Sequence, residues 1–334
     1  MEIRSVFLRC LSKSLLGFCL GGGCFVLSAA RSQLAEQPMQ LDLKTRPVAL
    51  NPRDPAQNTL GSFRYAGGLE LLSSPLSPVH ELSDLELKAE RRLFAVSDAG
   101  LFFETTLVLN SQGQLTGLKE SQICPLTRED GQPLQTKEAS DAEGLAFLAG
   151  GEKLVSFEKQ DRILLYPGKG HNPRQAPTPR FHFEHNLGME ALSADPLRGP
   201  DAYLVGAEAD AQLWTCRLSE PECQALEKLE KPAGYQLVAL KRLKANLLAY
   251  LLRLYQPETG KVSVLLKVKQ GPQVLAEMEL TQPLNVDNFE GLAAVPDAQQ
   301  GYRFYLISDD NGSEAQRTLL MAFDWKGPSK TSAD

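Results

Sequence analysis

The stretch DAEGLAF at residues 141–147 recurs in altered form as GMEALS at residues 188–193 and as NFEGLAAV at residues 288–295. Each copy places a glutamate directly before a small residue and a leucine, and each is followed by a short apolar run that ends on a carboxylate. One pattern repeated along a chain indicates a repeat architecture, in which each copy belongs to one structural unit. Glu143 and Glu190 in the first two copies therefore correspond to Glu290 in the third.

Two further copies of the pattern are degenerate. Ser83-Asp84-Leu85 precedes the run Phe94–Asp98, and Leu237–Arg242 fills the gap before the last copy. The copies at 83, 143, 190 and 290 are spaced by 60, 47 and 100 residues, and the last spacing corresponds to two periods of about 50. A period of this length with several short strands is typical of a four-stranded propeller blade. Residues 45–325 divided by the period give a value close to six, which predicts six blades.

Short β-type runs separated by Gly, Pro, Asn and Asp dominate the chain, and the only candidate helix is a piece at Glu222–Leu229. Strands this short and this evenly spaced favour an all-β fold, and with the repeat they predict a single β-propeller. The predicted strands include Leu93–Ser97, Leu154–Phe157, Ile163–Tyr166, Tyr203–Gly206, Val262–Val268, Tyr302–Ser308 and Thr318–Phe323.

Residues 1–30 have the order of a secretory signal peptide. Three basic residues precede an apolar run at residues 15–27, and Ser28-Ala29-Ala30 supplies small residues for cleavage. Export to the periplasm or the exterior is therefore expected, with no membrane span after cleavage. A retained anchor is the alternative, although the run is shorter than the ~20 residues that a span needs. Lipid attachment at Cys24 is a further alternative, disfavoured because Gly21 stands where the lipidation motif has leucine.

The rest of the chain is predicted to form one domain with short extensions. Residues 31–60 are polar and contain prolines, which indicates a linker with one possible ring-closing strand near Met39–Leu43. Residues 61–325 form the predicted propeller, whose last strand, Thr318–Trp325, would pair with an N-terminal strand. Residues 326–334 are expected to be a disordered tail.

Charge and cysteine content limit the partners. The net charge of -6 and the pI near 5.5 provide no basic surplus for phosphate backbones, so no nucleic-acid partner is expected. A monomer is predicted. Cys216 and Cys223 either pair across a short loop in an oxidising compartment or remain thiols. The absence of any CxxC pair argues against a structural zinc site.

The repeat predicts a metal site, because equivalent residues of all blades face one central channel. Carboxylate and amide oxygens are ligands that suit Ca²⁺, although the same residues could instead cap turns. The predicted ligands are Glu143, Glu190, Glu290, Asp141 and Asn288, with Asp98 and Asp309 as secondary candidates. Basic residues that could bind an anionic substrate, or could simply be solvated, are Lys241, Arg242, Arg253 and Arg317.

The repeats resemble a bacterial family, the phytase-like proteins, described as having the esterase-like activity of phytase. The resemblance runs through most of the predicted mature chain, with departures at Asp84, where the family usually has glycine, and at Lys241, where an acidic residue is common. The matching pieces are Phe94–Asp98 with Gly100, DAEGLAF at 141–147, Asn186 with Gly188 and Glu190–Leu192, DNFEGLAAV at 287–295, and Leu306–Asn311 followed by QRTLL at 316–320.

The resemblance implies a propeller that hydrolyses phosphoric or carboxylic esters with calcium as the metal, so a small ester or phosphorylated substrate is expected. P-loop, GxSxG, HExxH and GxGxxG motifs are absent from the sequence, so hydrolysis would have to be metal-assisted. Two alternatives fit the same residues. One is a non-catalytic propeller of the cell envelope that binds a ligand or protein, and the other is a lactonase-like hydrolase.

Overall fold

A computed structural model describes residues 38–72, 74, 79–168, 170–244, 246–297 and 301–328. The predicted signal peptide and most of the predicted tail lie outside these residues. Within them, no helix combines the length and the apolar character that crossing a membrane requires.

The described residues form strands joined by turns and loops, with one short α-helix at Lys137–Ser140 and one 3-10 helix at Ala89–Arg91. Four strands precede the first blade: β1 (Met39–Gln40), β2 (Lys44–Pro47), β3 (Thr59–Leu60) and β4 (Phe63–Leu72). Blade 1 contains β5 (Leu82–Leu87), β6 (Arg92–Ser97), β7 (Leu101–Leu109) and β8 (Leu115–Pro125), and blade 2 contains β9 (Ala142–Phe147), β10 (Lys153–Phe157), β11 (Arg162–Tyr166) and β12 (Arg174–Ala176). Blade 3 contains β13 (Ala191–Ala194), β14 (Ala202–Gly206), β15 (Leu213–Arg217) and β16 (Gln224–Ala225), and blade 4 contains β17 (Gln236–Arg242), β18 (Leu247–Gln256), β19 (Lys261–Gln270) and β20 (Gln273–Thr281). Blade 5 combines β21 (Phe289–Pro296), β22 (Tyr302–Ser308) and β23 (Thr318–Trp325) with β4.

The five antiparallel sheets are arranged as the blades of one β-propeller. The first strand of each blade, β5, β9, β13, β17 and β21, is innermost, and each of these strands adjoins the next around a closed ring. The all-β propeller predicted from the repeat is thus confirmed. The silent repeat predicted near residue 240 corresponds to β17, the inner strand of blade 4.

The prediction of six blades is wrong, because the ring has five. Residues before the first repeat were counted toward a sixth blade, but β4 pairs antiparallel with β23, with Leu69 opposite Leu320, and so completes blade 5. β2 and β3 pair with β4 in the same sheet, and β1 pairs with β8. Blade 1 is also longer than the mean period, because β7 and β8 are strands of 9 and 11 residues.

Burial explains the apolar runs. β14 is buried at every position, since a middle strand packs against a neighbouring blade on each face, whereas the outermost strand β20 alternates between buried and exposed residues. The helix predicted at Glu222–Leu229 is absent from that segment, which instead carries the short strand β16. A disulfide between Cys216 and Cys223 lies at the start of this segment.

The small residue after each motif glutamate is required by packing. A Cβ atom on Gly144 would lie 2.7 Å from the Leu192 Cβ of the next blade, and one on Gly291 would lie 2.8 Å from the Leu85 Cδ2. The leucine that follows each small residue is buried in the core. Packing between blades therefore explains the small residue and the leucine of the motif, but it does not explain the glutamate.

Candidate metal centre

A β-bulge sets the direction of the motif glutamates. Glu143 is the extra residue between the pairs Gly144–Ser156 and Ala142–Phe157, and Glu290 occupies the same place in β21. Ser83 and Val238 are the bulged residues in blades 1 and 4, and Glu190 directly precedes β13. A bulge turns one side chain out of the alternation of the strand. We call the channel end at which the inner strands begin, and at which these glutamates lie, the acidic end.

The second strand of each blade returns to the acidic end and brings a charged residue there. The amide of Glu158 donates to the Asp141 carbonyl at 2.9 Å, and the amide of Asp309 donates to the Asn288 carbonyl at 3.0 Å. Asp98 and Glu208 make the corresponding bonds just after the second strands of blades 1 and 3, and Arg253, which lies within β18, is paired with Gln236 in blade 4. Five residues are therefore equivalent in register: Asp98, Glu158, Glu208, Arg253 and Asp309.

Two groups of buried carboxylates meet between blades 2 and 3. One oxygen from each of Asp141, Glu143 and Glu158 lies within 4.8 Å of the other two, and the same holds for Glu158, Glu190 and Glu208. Glu158 belongs to both groups. The structure thus brings Glu143 and Glu190 together, although their motifs belong to different blades.

The acidic end carries more negative than positive groups. Among the described residues, the cations that form ion pairs with its channel carboxylates are Lys137, which pairs with Asp98 at 2.5 Å and with Asp141 at 2.9 Å, Lys159, which pairs with Asp141 at 2.6 Å, and Arg253. These three cations face eight carboxylates: Asp98, Asp141, Glu143, Glu158, Glu190, Glu208, Glu290 and Asp309.

Burial and mutual repulsion raise the pKa values of several of these carboxyl groups. Burial raises the pKa of Asp98 to about 8 and those of Glu208 and Asp309 to about 7. Burial also raises the pKa values of Glu143 and Glu190 well above their usual range, and neighbouring carboxylates add to the effect. A bound cation would favour the ionised forms and would displace protons from these groups.

Glu190 has an oxygen without a protein partner. Its side chain is 7% exposed, and among the described residues no group forms a hydrogen bond with the Glu190 Oε2 atom. A buried carboxylate oxygen is normally satisfied, because leaving it unpaired costs about 1–3 kcal/mol or more. This oxygen belongs to a side chain of the second carboxylate group, where a cation would satisfy it.

The spacing and chemistry of each carboxylate group fit a metal ion. Two oxygens that each lie about 2.4 Å from one ion can be at most about 4.8 Å apart, which is the spacing limit met by both groups. All members are carboxylates, the oxygen ligands that hard cations prefer, and no histidine or cysteine belongs to either group. An ion would be held either by Asp141, Glu143 and Glu158 or by Glu158, Glu190 and Glu208.

Glu290 has a different environment from the other two motif glutamates. Its Oε1 atom accepts hydrogen bonds from the Arg253 guanidinium and, at 2.9 Å, from the Asn288 amide. Arg253 also donates to the Asn288 Oδ1 at 2.9 Å and to the Glu208 Oε1 at 3.0 Å. Of the predicted ligands, Glu290 and Asn288 thus face Arg253, while Asp98 and Asp309 lie at the acidic end without joining either carboxylate group.

Lys241, predicted to bind substrate, closes the channel. Its side chain is buried, and Nζ donates to Asp84 Oδ2 at 3.1 Å, to Glu86 Oε1 at 3.0 Å and to the carbonyls of Leu145 at 2.9 Å and Leu192 at 3.3 Å. Asp84, which is fully buried, also accepts from the amides of Leu145 and Leu292. The two departures from the family pattern therefore pair with each other. They lie on the axis and connect all five blades.

Arg242 and Arg317, which were also predicted as possible substrate-binding residues, pair with carboxylates other than those that contact Lys241. Arg242 ends β17, away from the acidic end, and donates to Asp195 Oδ1 at 3.1 Å. Arg317 precedes β23 and donates to Asp287 Oδ2 at 3.2 Å. Lys241, Arg242 and Arg317 therefore do not form one basic patch, and only Arg317, beside the loop that enters β21, is near the acidic end.

The sequence did not assign three residues to this centre. Glu158 and Glu208 were visible as the carboxylates that end the apolar runs, and their regular offset from the motif was the available signal. Arg253 was predicted only as a possible contact for an anionic substrate, because blade 4 lacks the motif glutamate that would have related it to the channel.

A five-bladed propeller with buried carboxylate groups at one end of its channel is the class of protein that the fold and the site define. The family model "Phytase-like: Esterase-like activity of phytase" matches residues 77–312, which include all five inner strands. The chain belongs to this phytase-like family.

Other comparisons reach only the level of the fold. A protein of unknown function from Dyadobacter fermentans has 10% identity over 86% of this chain and 94% of its own, with a TM-score of 0.44. An inactive virginiamycin B lyase from Staphylococcus aureus has 8% identity over 85% of this chain and 99% of its own, with a TM-score of 0.39. A nidogen/laminin complex matches with 11% identity over 73% and 87%, with a TM-score of 0.39. No curated protein matches the chain.

The raised pKa values predict that the metal-free protein loses stability as the pH rises. The pKa of a carboxyl group is about 4 in the unfolded chain. If the pKa is higher in the folded protein, the folded state binds the proton more tightly, and this stabilises the fold at a pH below the folded pKa. This contribution is lost as the pH rises through the folded values, about 7 for Glu208 and Asp309 and about 8 for Asp98. Thermal unfolding in chelator should show a midpoint that falls between about pH 5.5 and pH 8.5. A midpoint that rises over this range would contradict the account.

Proposed function

We propose that this protein is a calcium-dependent hydrolase of phosphoric or carboxylic esters, with its reaction centre at the acidic end of the channel. The observation that carries the proposal is the pair of buried carboxylate groups that share Glu158 and include an unpaired oxygen of Glu190. Membership of the phytase-like family supports ester hydrolysis as the activity. These carboxylates do not form a catalytic triad. We therefore expect ester hydrolysis at this site to depend on a cation.

A calcium ion at this site would polarise the ester oxygen and lower the pKa of a bound water. The protein itself would hold the ion through Asp141, Glu143 and Glu158. Glu190 lies beside this group, and burial raises its pKa well above the usual range. The Glu190 Oε2 atom is therefore the proposed acceptor of the proton from an attacking water.

Substrate would reach the centre from the acidic end, because Lys241 and Asp84 obstruct the channel behind it. An anionic ester would be repelled by the surplus of carboxylates unless a cation offset their charge. Lys137, whose side chain is 45% exposed, is placed to contact the substrate phosphate or carboxylate at the rim. Substrate binding, as well as chemistry, should then require the metal.

Export is part of the proposal. The Cys216–Cys223 disulfide is the kind of bond that persists in an oxidising compartment, which supports delivery by the predicted signal peptide to the periplasm or the exterior.

A non-catalytic binding propeller is the second candidate function, and an aromatic patch favours it. Phe181 is 49% exposed and packs against Phe183 and Trp214, each with ring centroids 5.2 Å away. An exposed aromatic cluster of this kind suits a sugar or peptide ligand. In that case the cation would only hold blades 2 and 3 together.

Replacement of Glu190 by glutamine distinguishes the two candidates. We expect the purified protein with calcium to hydrolyse at least one of p-nitrophenyl phosphate, p-nitrophenyl acetate or a simple lactone, and chelator to abolish the activity. Glu190→Gln should lower kcat/KM by at least about 100-fold, because it removes the proton acceptor. Glu258→Gln, on the exposed turn between β18 and β19, is the matched control. Calcium binding without turnover of any ester would favour the binding propeller.

A further inference from the structure

Blade 4 supplies two side-chain cations to the channel. Like blade 1, which has Ser83 at its bulge, it lacks the motif glutamate, since Val238 and Gln236 stand where blade 2 has Glu143 and Asp141. At the position where the second strands of the other four blades lead to a carboxylate, blade 4 has the basic residue Arg253. Its inner strand also carries Lys241, the lysine that crosses the axis to Asp84.

The Arg253 guanidinium lies among oxygens of the type that bind metal ions. Its Nη2 atom donates to a carboxylate oxygen of Glu208 in blade 3, and its Nη1 atom donates to the amide oxygen of Asn288 and to Glu290 in blade 5. Carboxylate and amide oxygens from two blades are also the ligands expected around a calcium ion.

The repeat indicates what kind of site would lie at the Arg253 guanidinium if this side chain were absent. Asn288 and Glu290 occupy in blade 5 the places that Asp141 and Glu143 occupy in blade 2, where the carboxylates form one of the two groups able to hold an ion. The two blades thus present equivalent oxygens. Those of blade 2 lie beside another carboxylate, and those of blade 5 lie beside Arg253.

We infer that Arg253 is a tethered cation that occupies a second metal position at the acidic end. The inference rests on the proposed function in one respect, since the exchangeable ion is assigned to blades 2 and 3. Blade 4 thereby restricts the channel to one exchangeable ion, and Glu290 is a ligand of Arg253 instead of the metal.

Counting bound calcium tests the inference. By equilibrium dialysis at about pH 8, where protons compete less with an ion for the carboxylates than at lower pH, the wild-type protein should bind one ion per chain and Arg253→Met should bind two. Arg253→Lys keeps a tethered charge and should still bind one. A folded Arg253→Met variant that binds no more calcium than the wild type would overturn the inference. A wild type that binds none beside an Arg253→Met variant that binds one would instead refute the proposed function and support the inference.

A second pair of variants decides the matter if Arg253→Met does not fold. Glu143→Gln should weaken calcium binding by at least about tenfold, because it removes a metal ligand. Glu290→Gln, at the equivalent bulge of blade 5, should change the affinity by less than about threefold, since the amide oxygen can still accept from Arg253. An equal loss of affinity in both variants would show that Glu290 binds the exchangeable ion and would overturn the inference.

Discussion

Replacing Lys241 with methionine is expected to lower the free energy of unfolding by about 3–5 kcal/mol, because it leaves buried carboxylates without their cation. Lys241 is 4% exposed and Asp84 is fully buried. Burial alone would lower the pKa of Lys241, but Asp84 and Glu86 outweigh it and raise the pKa, so the ammonium stays charged. Urea denaturation followed by circular dichroism measures the change.

The control for Lys241→Met is Lys228→Met, which breaks the exposed pair with Asp210 and should cost less than about 1 kcal/mol. Combining Lys241→Met with Asp84→Asn should cost less than the sum of the two single losses by at least about 0.5 kcal/mol, since each single change leaves the other charge unpaired. Strictly additive losses would show that the two residues do not form the pair on which the closed channel depends.

Calcium is expected to stabilise the wild-type protein by about 2.7 kcal/mol when its concentration is 100 times the dissociation constant. The effect should be larger at about pH 8 than at about pH 6, because protons compete for the same carboxylates at the lower pH. Glu158→Gln should remove most of the stabilisation, since Glu158 is the member shared by both carboxylate groups. Thermal unfolding with and without calcium gives both values.

Glu258→Gln serves again as the control for Glu158→Gln, because its side chain is exposed on a turn outside the channel. It should keep the full stabilisation by calcium. If Glu158→Gln responded to calcium as strongly as this control, the shared carboxylate would not be a ligand and the site would have to lie elsewhere.

The repeat made the propeller predictable, because the small residue and the leucine of the motif reflect two packing constraints that recur in blades 2, 3, 4 and 5. Gly144 and Gly291 are needed for the close approach of neighbouring blades, and the leucines fill the core between them. The blade number was not predictable from the period. Whether β4 forms a blade of its own or pairs with β23 depends on contacts between the two ends of the chain.

The candidate site was predictable only where the blades repeat each other. The repeat identified Glu143 and Glu190 as channel residues, and the structure adds Glu158 and Glu208 from the strand ends. It could not reveal the environment of Glu290, because Arg253 comes from the blade in which the repeat is degenerate.

The role of Lys241 could not be predicted from the sequence either. As an isolated basic residue it suggested substrate binding, and its position opposite Asp84 depends on the closure of the whole ring, across 157 residues of sequence. Departures from a family pattern at two positions can thus be a single feature when the positions meet in space.

The measurement that tests the account most directly is the calcium content of the purified wild-type protein, determined by equilibrium dialysis at about pH 8. The account predicts one tightly bound ion per chain, released by chelator and by acidification to about pH 5, where the carboxylates take up protons. A folded protein that binds no calcium at millimolar concentration would contradict it and would leave the buried carboxylates as proton-bearing structural groups.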